Sequence, residues 1–182
     1  EYESSLHQWA WMSGLNGIDG SAVYGIPCVP DTANTPGETF ASTCWTDVYG
    51  NLWMLGWGNY GYTAPEIWHY NVTSKEWAFV GGNSNMNDPG NYGTMNVPAA
   101  SNFPAARQSA CSFRDLNGNF WMFGGGIPFS NIVFNDVWRY VPDFSASNGC
   151  PAILPVLQAG FAAASNGCAP YTLTFNNTSA GA

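Results

Sequence analysis

Gly118-Asn119-Phe120-Trp121-Met122-Phe123-Gly124-Gly125-Gly126 has a twin upstream in Gly50-Asn51-Leu52-Trp53-Met54-Leu55-Gly56-Trp57-Gly58. The two central tryptophans stand 121 − 53 = 68 residues apart. The same offset holds outward from this pair. Trp9-Ala10-Trp11 answers Trp77-Ala78-Phe79, Tyr24-Gly25 answers Tyr92-Gly93, and Val29-Pro30 answers Val97-Pro98. Pro36 pairs with Pro104 and Asp47 with Asp115. Beyond the central stretch the offset becomes 138 − 68 = 70, because Trp68 and Tyr70 answer Trp138 and Tyr140. A two-residue slip of this kind is a change in loop length, which an array of similar units tolerates.

Each unit reads as four antiparallel strands. Leu52 to Leu55 and Phe120 to Phe123 are short apolar runs bounded by Gly and Asn, as strands buried on both faces require. A run precedes each, at 40–46 and 108–114, across the turn-like segments Asp47-Val48-Tyr49-Gly50-Asn51 and Asp115-Leu116-Asn117-Gly118-Asn119. A third strand is expected at 66–71 and 135–140, where Trp and Tyr alternate with polar residues. The fourth is Glu76-Trp77-Ala78-Phe79-Val80, and an earlier copy of it stands at Gln8-Trp9-Ala10-Trp11-Met12.

Tandem four-stranded units with Gly-rich turns and a Trp-Tyr signature describe β-propeller blades. More specifically, residues 8 to 143 resemble the Kelch repeat. The marks are the Gly pair Gly124-Gly125, then Asn135-Asp136-Val137-Trp138-Arg139-Tyr140, and a last-strand tryptophan at Trp77. The long variant carrying Gly-Asn-Leu-Trp-Met is similar to repeats of large secreted bacterial surface proteins. The first copy departs from the pattern, with Gly56-Trp57 for the Gly pair and Pro65-Glu66 for Asn-Asp. The second has no last-strand tryptophan after Tyr140. The fold expected is all-β: one full blade, most of another, and the last strand of a third within residues 1–143. The structural signature comprises Trp53, Trp68, Tyr70, Trp77, Trp121, Gly124, Gly125, Asp136, Trp138 and Tyr140.

Residues 144–158 read as a linker, opened by Phe144-Ser145-Ala146-Ser147-Asn148-Gly149. Residues 159–182 resemble the opening of a polycystic-kidney-disease (PKD) domain, an immunoglobulin-like sandwich. They carry a Phe161 strand, Gly167-Cys168-Ala169-Pro170, and Tyr171, Leu173 and Phe175 alternating with threonines. Such modules act as spacers in long surface proteins, and the chain is expected to be a piece of one.

Lys and Arg total 4 against 12 Asp and Glu, aromatics reach 16%, and the net charge is −8. Too few cations are present for phosphate neutralisation, so nucleic acid is excluded as a partner. Nothing approaches 18 consecutive apolar residues, so no membrane-spanning helix is expected. The connections 13–38 and 81–106 are expected to be decorated but inert loops, with an interaction role, common for loops of this length, as the alternative.

The five cysteines occupy no equivalent repeat positions and form no C-x-x-C pair. In a secreted setting one or two disulfides are expected, the nearest pairs in sequence being Cys28–Cys44 and Cys150–Cys168. Buried free thiols are the alternative, and an odd count leaves one cysteine unpaired. His69, whose counterpart is Arg139, is expected to be polar and partly exposed. The Asp47 and Asp115 turns are expected to be structural, since the Glu that completes an EF-hand calcium loop is missing. Asn71-Val72-Thr73 fits the N-glycosylation triplet, and Thr32 lies in a short O-glycosylation-like motif.

No nucleophile–base set or metal set is recognisable, so no catalytic residue and no cofactor are assigned. The expectation is a non-catalytic binding or adhesion module, extracellular or at the cell surface, facing glycans or surface proteins. Alternatives are a carbohydrate-active propeller enzyme whose site lies on absent blades, and a structural protein built by inter-chain blade pairing. Since propellers close with about four to eight blades, the open faces carrying Trp9, Trp11, Trp77 and Trp138 are expected to be covered. Missing blades of the same protein, or other chains, would do so.

Overall fold

A computed structural model describes residues 1–18, 20–58 and 61–143, together with the backbone of 161–162 and 176–177. All regular structure among the described residues is β, in antiparallel sheets. Among them no helix is long and apolar enough to cross a membrane.

A first sheet joins β3 (Thr43–Thr46), β4 (Leu52–Trp57), β5 (Ala64–Asn71) and β6 (Glu76–Gly81) in sequential order. A second joins β7 (Cys111–Arg114), β8 (Phe120–Phe123) and β9 (Val137–Tyr140). Flanking them are a short hairpin, β1 (Tyr2–Glu3) with β2 (Gln8–Trp9), and the pair β10 (Phe161–Ala162) with β11 (Asn176–Asn177). The strands begin up to three residues later than the apolar runs imply, because Thr39 to Ser42 and Gln108 to Ala110 form the approach to each sheet. There Ala41 and Ser109, at equivalent positions, both take positive φ (53° and 58°).

The two sheets are the two sequence copies, in the same register. Trp45↔Trp53↔His69 in the first matches Phe113↔Trp121↔Arg139 in the second. Because side chains alternate between faces along a strand, each sheet has two distinct faces. On one face of the first sheet lie Trp45, Trp53 and Leu55, which pack on Phe120 and Met122 from the opposite-type face of the second. Ile67, Val80, Trp138 and Tyr140 border this core. Trp45 stacks on Phe120 with ring centroids 5.4 Å apart, and Trp53 meets Phe120 at 5.3 Å and Tyr140 at 5.9 Å. Burying a side chain such as Phe120 contributes about 1.5–3 kcal/mol, and each aromatic pair adds roughly 0.5–1.5 kcal/mol. Polar contacts stitch the β3 side of the interface: Trp45 Nε1–H donates to Trp121 O, Ser112 Oγ–H to Cys44 O (both 2.9 Å) and Ser109 N–H to Ala41 O.

The Gly pattern after the central strand has a steric cause. A Cβ at Gly56, at φ +91°, would stand 2.7 Å from Arg107 O; one at Gly125, at φ +84°, would stand 2.6 Å from Gln108 O. Only glycine accommodates both the left-handed backbone and the close chain beside it.

Several expectations need correction. Trp121 is only half-buried, unlike Trp53 at 1% exposure, because among the described residues no sheet covers its face as the second sheet covers Trp53. His69 is buried at 1% exposure: its side chain points to the face on which Tyr140 and Phe120 pack. Cys44 is free and exposed, as is Cys111, so Cys28–Cys44 does not form. Cys28 itself is disulfide-bonded, while Cys150 and Cys168 lie outside the described residues. The N-terminal strand spans only Gln8–Trp9, in a hairpin of its own. The expected linker 144–158 and most of 159–182 lie outside the described residues.

Candidate functional site

Two sets of polar contacts recur in both units and engage four of the 12 acids, Asp47, Asp115, Glu66 and Asp136. The first sits on the turn before the central strand. Asp47 Oδ1 accepts from the N–H groups of Tyr49 and Asn51, and Oδ2 from Asn51 Nδ2 and Trp53 Nε1. Asp115 repeats all four, through Asn117 N, Asn119 N, Asn119 Nδ2 and Trp121 Nε1. The spacing Asp-x-x-Gly-Asn-x-Trp thus encodes a clasp between turn and strand. Hydrogen bonds from Trp121 and Asn119 hold the Asp115 carboxyl down at about 2, as multiple donors to a carboxylate do. With both oxygens occupied by N–H donors, these aspartates work as structural turns.

The second set ties each inter-unit loop to its sheet. Tyr24 Oη donates to Glu66 Oε1 (2.5 Å), while Trp68 Nε1 donates to Glu66 Oε2 (3.0 Å). In the second unit Tyr92 Oη and Trp138 Nε1 both donate to Asp136 Oδ2, at 2.6 and 2.8 Å. The rings pack together in both units, Tyr24 tilted against Trp68 at 5.5 Å and Tyr92 edge-to-face with Trp138 at 5.0 Å. Burial of the Tyr24 hydroxyl and the neighbouring Glu66 carboxylate raise the tyrosine's pKa.

The second unit adds a cation. Arg107 is fully buried and pairs with Asp136 through both terminal nitrogens, Nη2 at 2.8 Å. Its remaining donors reach Ala105 O and Gly124 O, each at 3.0 Å, and its guanidinium lies 4.1 Å from the Phe134 ring centre. Burial works against the Asp136 carboxylate, yet the donors from Arg107, Tyr92 and Trp138 outweigh it and bring the pKa to about 2. Thr39 stands at the equivalent position of the first unit (107 − 68 = 39).

His69 sits against Trp53, ring centroids 4.8 Å apart, with Nε2 3.7 Å from Asp47 Oδ2 and neither ring nitrogen hydrogen-bonded. Burial lowers its pKa, with Asp47 opposing, so the neutral form is favoured near neutral pH. Gln108 Oε1 and Thr43 Oγ1 are likewise buried without partners. Among the described residues no group of three or more His, Cys, Asp or Glu is placed to hold a metal ion.

The signature residues thus divide by role. Trp53, Trp68 and Tyr70 are buried, and Trp77, Trp121, Asp136, Trp138 and Tyr140 are half-buried around the same contacts. Thr32 is exposed on a turn. Asn71 is half-buried, and its Oδ1 accepts from Thr73 and Ser74 N–H, closing the turn into β6. Sequence reasoning passed over Arg107, although it is one of only 4 cations. Tyr24 and Tyr92 were visible as repeat matches, but nothing in the sequence paired them with an acid some 40 residues away.

Several large apolar side chains of the two connections face outward. Leu15, Ile18 and Ile26 on the first connection are 67%, 90% and 66% exposed, and Met86, Met95 and Val97 on the second are 57%, 86% and 54%. Comparison of the chain with protein-family models and with curated proteins gives no match.

Proposed function

We propose that the chain carries blades of a Kelch-type β-propeller and works as a non-catalytic binding or adhesion module of a larger secreted or cell-surface protein. The propeller reading draws support from two sheets of equivalent register packed face to face, with β3 and β7 on the side where the sheets approach most closely. The functional reading rests on how the side chains are used. Asp47, Glu66 and the Arg107–Asp136 pair hold turns and loops, while the two long connections present apolar side chains to solvent. Side chains of this kind, where they gather into a patch, suit protein or ligand contact rather than chemistry. The segment 159–182 is proposed as the start of a PKD-like spacer.

The test is to immobilise the 182-residue chain and screen it against glycan arrays and extracellular proteins, with parallel sugar-oxidase and glycosidase assays. Saturable binding weakened by Ile18→Asp and Met95→Asp, without turnover, is expected. Turnover abolished by substituting a single buried carboxylate would overturn the reading in favour of a carbohydrate-active enzyme.

A further inference from the structure

His69 is held where a neutral imidazole fits and a charged one finds no partner. It stands opposite Trp53 in the β4–β5 ladder, with the two rings 4.8 Å apart. This is the face of the first sheet on which Trp53 meets Phe120 and Tyr140 of the second, at 5.3 and 5.9 Å. Water has no access at 1% exposure, and neither ring nitrogen is hydrogen-bonded. Asp47 Oδ2 lies 3.7 Å from Nε2, beyond hydrogen-bond reach. That carboxylate is itself occupied. Its Oδ1 accepts from Tyr49 N–H and Asn51 N–H, and its Oδ2 from Asn51 Nδ2 and Trp53 Nε1. A proton added to His69 therefore brings a second N–H and a full charge into a dry site with no free acceptor, which costs free energy.

The groups around it do not compensate. On its own sheet, the register places Glu76, opposite Asn71, on the same face as His69. From the second sheet come Arg114, on the Phe120 face of β7, and Tyr140 on β9. Arg114 is exposed to solvent. Burial, with Asp143 adding to it, pushes the Tyr140 hydroxyl up to about 12, so it carries no charge. Asp47 is the charge that acts on the imidazole, and burial outweighs it. The other copy of the repeat shows the contrast. Arg139 takes the place of His69, pairs with Trp121 as His69 pairs with Trp53, and lies 5.7 Å from the Trp121 ring centre. There the cation is exposed. Where the two sheets meet, the same position holds a side chain that can shed its charge.

We infer that His69 makes the union of the two sheets depend on a proton: neutral, it fills its place between Trp53 and the second sheet, and protonated it weakens that packing. The sign follows from linkage. A histidine held below its unfolded value of ~6.5 leaves the unfolded chain binding more protons in the window between the two values. Stability is then complete above about pH 7 and is lost as the pH falls from there towards the folded value. This window lies above the one in which Asp136, at about 2, contributes. Mild acid thus loosens the contact between the repeats while the carboxylate clasps are still charged. The inference rests on the packing of the two sheets and not on what the loops bind.

The chain has two histidines, His7 and His69, so ring-proton NMR of the 182-residue chain, with His7→Gln for assignment, reads His69 directly. A folded-state titration below ~6.5 is expected, moved back towards that value by Phe120→Ala, which opens the cover. Urea midpoints should drop between pH 7.5 and pH 5 in the parent and in His7→Gln, and by less than about half as much in His69→Gln. A His69 that titrates at or above ~6.5 overturns the inference. So does a midpoint loss undiminished in His69→Gln. A titration that Phe120→Ala leaves unmoved also overturns it, because the burial would then come from the first sheet alone. If Phe120→Ala does not fold, Tyr140→Ala replaces it; if His69→Gln does not fold, the titration of the parent chain decides.

Discussion

Replacing Arg107 by alanine strands Asp136 beside its two remaining donors and leaves Ala105 O and Gly124 O without the guanidinium. Arg107 is fully buried and the Asp136 side chain is 18% exposed, so solvent replaces little of what is lost. Removing one partner of a buried pair costs about 3–5 kcal/mol, a large part of the roughly 5–15 kcal/mol by which a domain is stable. The melting temperature should fall by roughly 10 °C. The pH dependence has a definite sign. Asp136 titrates at about 2 in the folded chain, below the ~3.9 of an unfolded aspartate. Its contribution is therefore complete above pH ~4 and is lost as the pH falls towards ~2, amounting to about 1–2 kcal/mol after discounting for partial exposure. Urea midpoints measured from pH 7 down to 2 should show this acid loss in the unsubstituted chain and a shallower one in Asp136→Asn. An Arg107→Ala chain as stable as the parent to within about 0.5 kcal/mol would refute the reasoning, because surface substitutions behave that way.

Other outcomes follow from the contrast between the two units. Trp53→Ala should cost about 3–5 kcal/mol, and Trp121→Ala clearly less, since its face is open; equal losses by chemical denaturation would contradict the assigned packing. Gly125→Val should destabilise strongly, through positive φ and the close approach to Gln108 O, and a neutral effect on the melting temperature would count against that geometry. Cys44 and Cys111 should both react with a maleimide reagent in the native chain while Cys28 does not, as read by peptide mass mapping. Burial raises the pKa of the Cys44 thiol, so its labelling should accelerate as the pH is raised.

The two sheets were legible because the signal was doubled: a four-residue apolar run is ambiguous alone, but its recurrence with the same Gly-Asn punctuation is not. The Asp47 and Asp115 turns were legible for the same reason. Burial of His69 was not, because a polar residue between Trp68 and Tyr70 reads as solvent-facing unless one knows that Phe120 and Tyr140 close over it. The partial burial of Trp121 escaped for the converse reason: its run is as apolar as that of Trp53, and what separates them is that, among the described residues, no sheet covers Trp121. The Cys28–Cys44 pair was misjudged from proximity in sequence; Cys44 is free and sits at the β3 edge beside Ser112, whose hydroxyl binds its carbonyl. The Arg107–Asp136 pair joins a loop to the residue just before β9 across 29 residues, a relation with no local signature.

Central to the account is that the two repeats pack face to face through aromatic rings. Nuclear Overhauser spectroscopy on chain with selectively protonated Trp, Phe and Tyr rings in a deuterated background addresses this directly. Cross-peaks from the Trp53 indole to Phe120 and Tyr140 are predicted, at centroid separations of 5.3 and 5.9 Å. A folded chain whose Trp53 ring shows contacts within its own sheet and none to either residue would contradict the account.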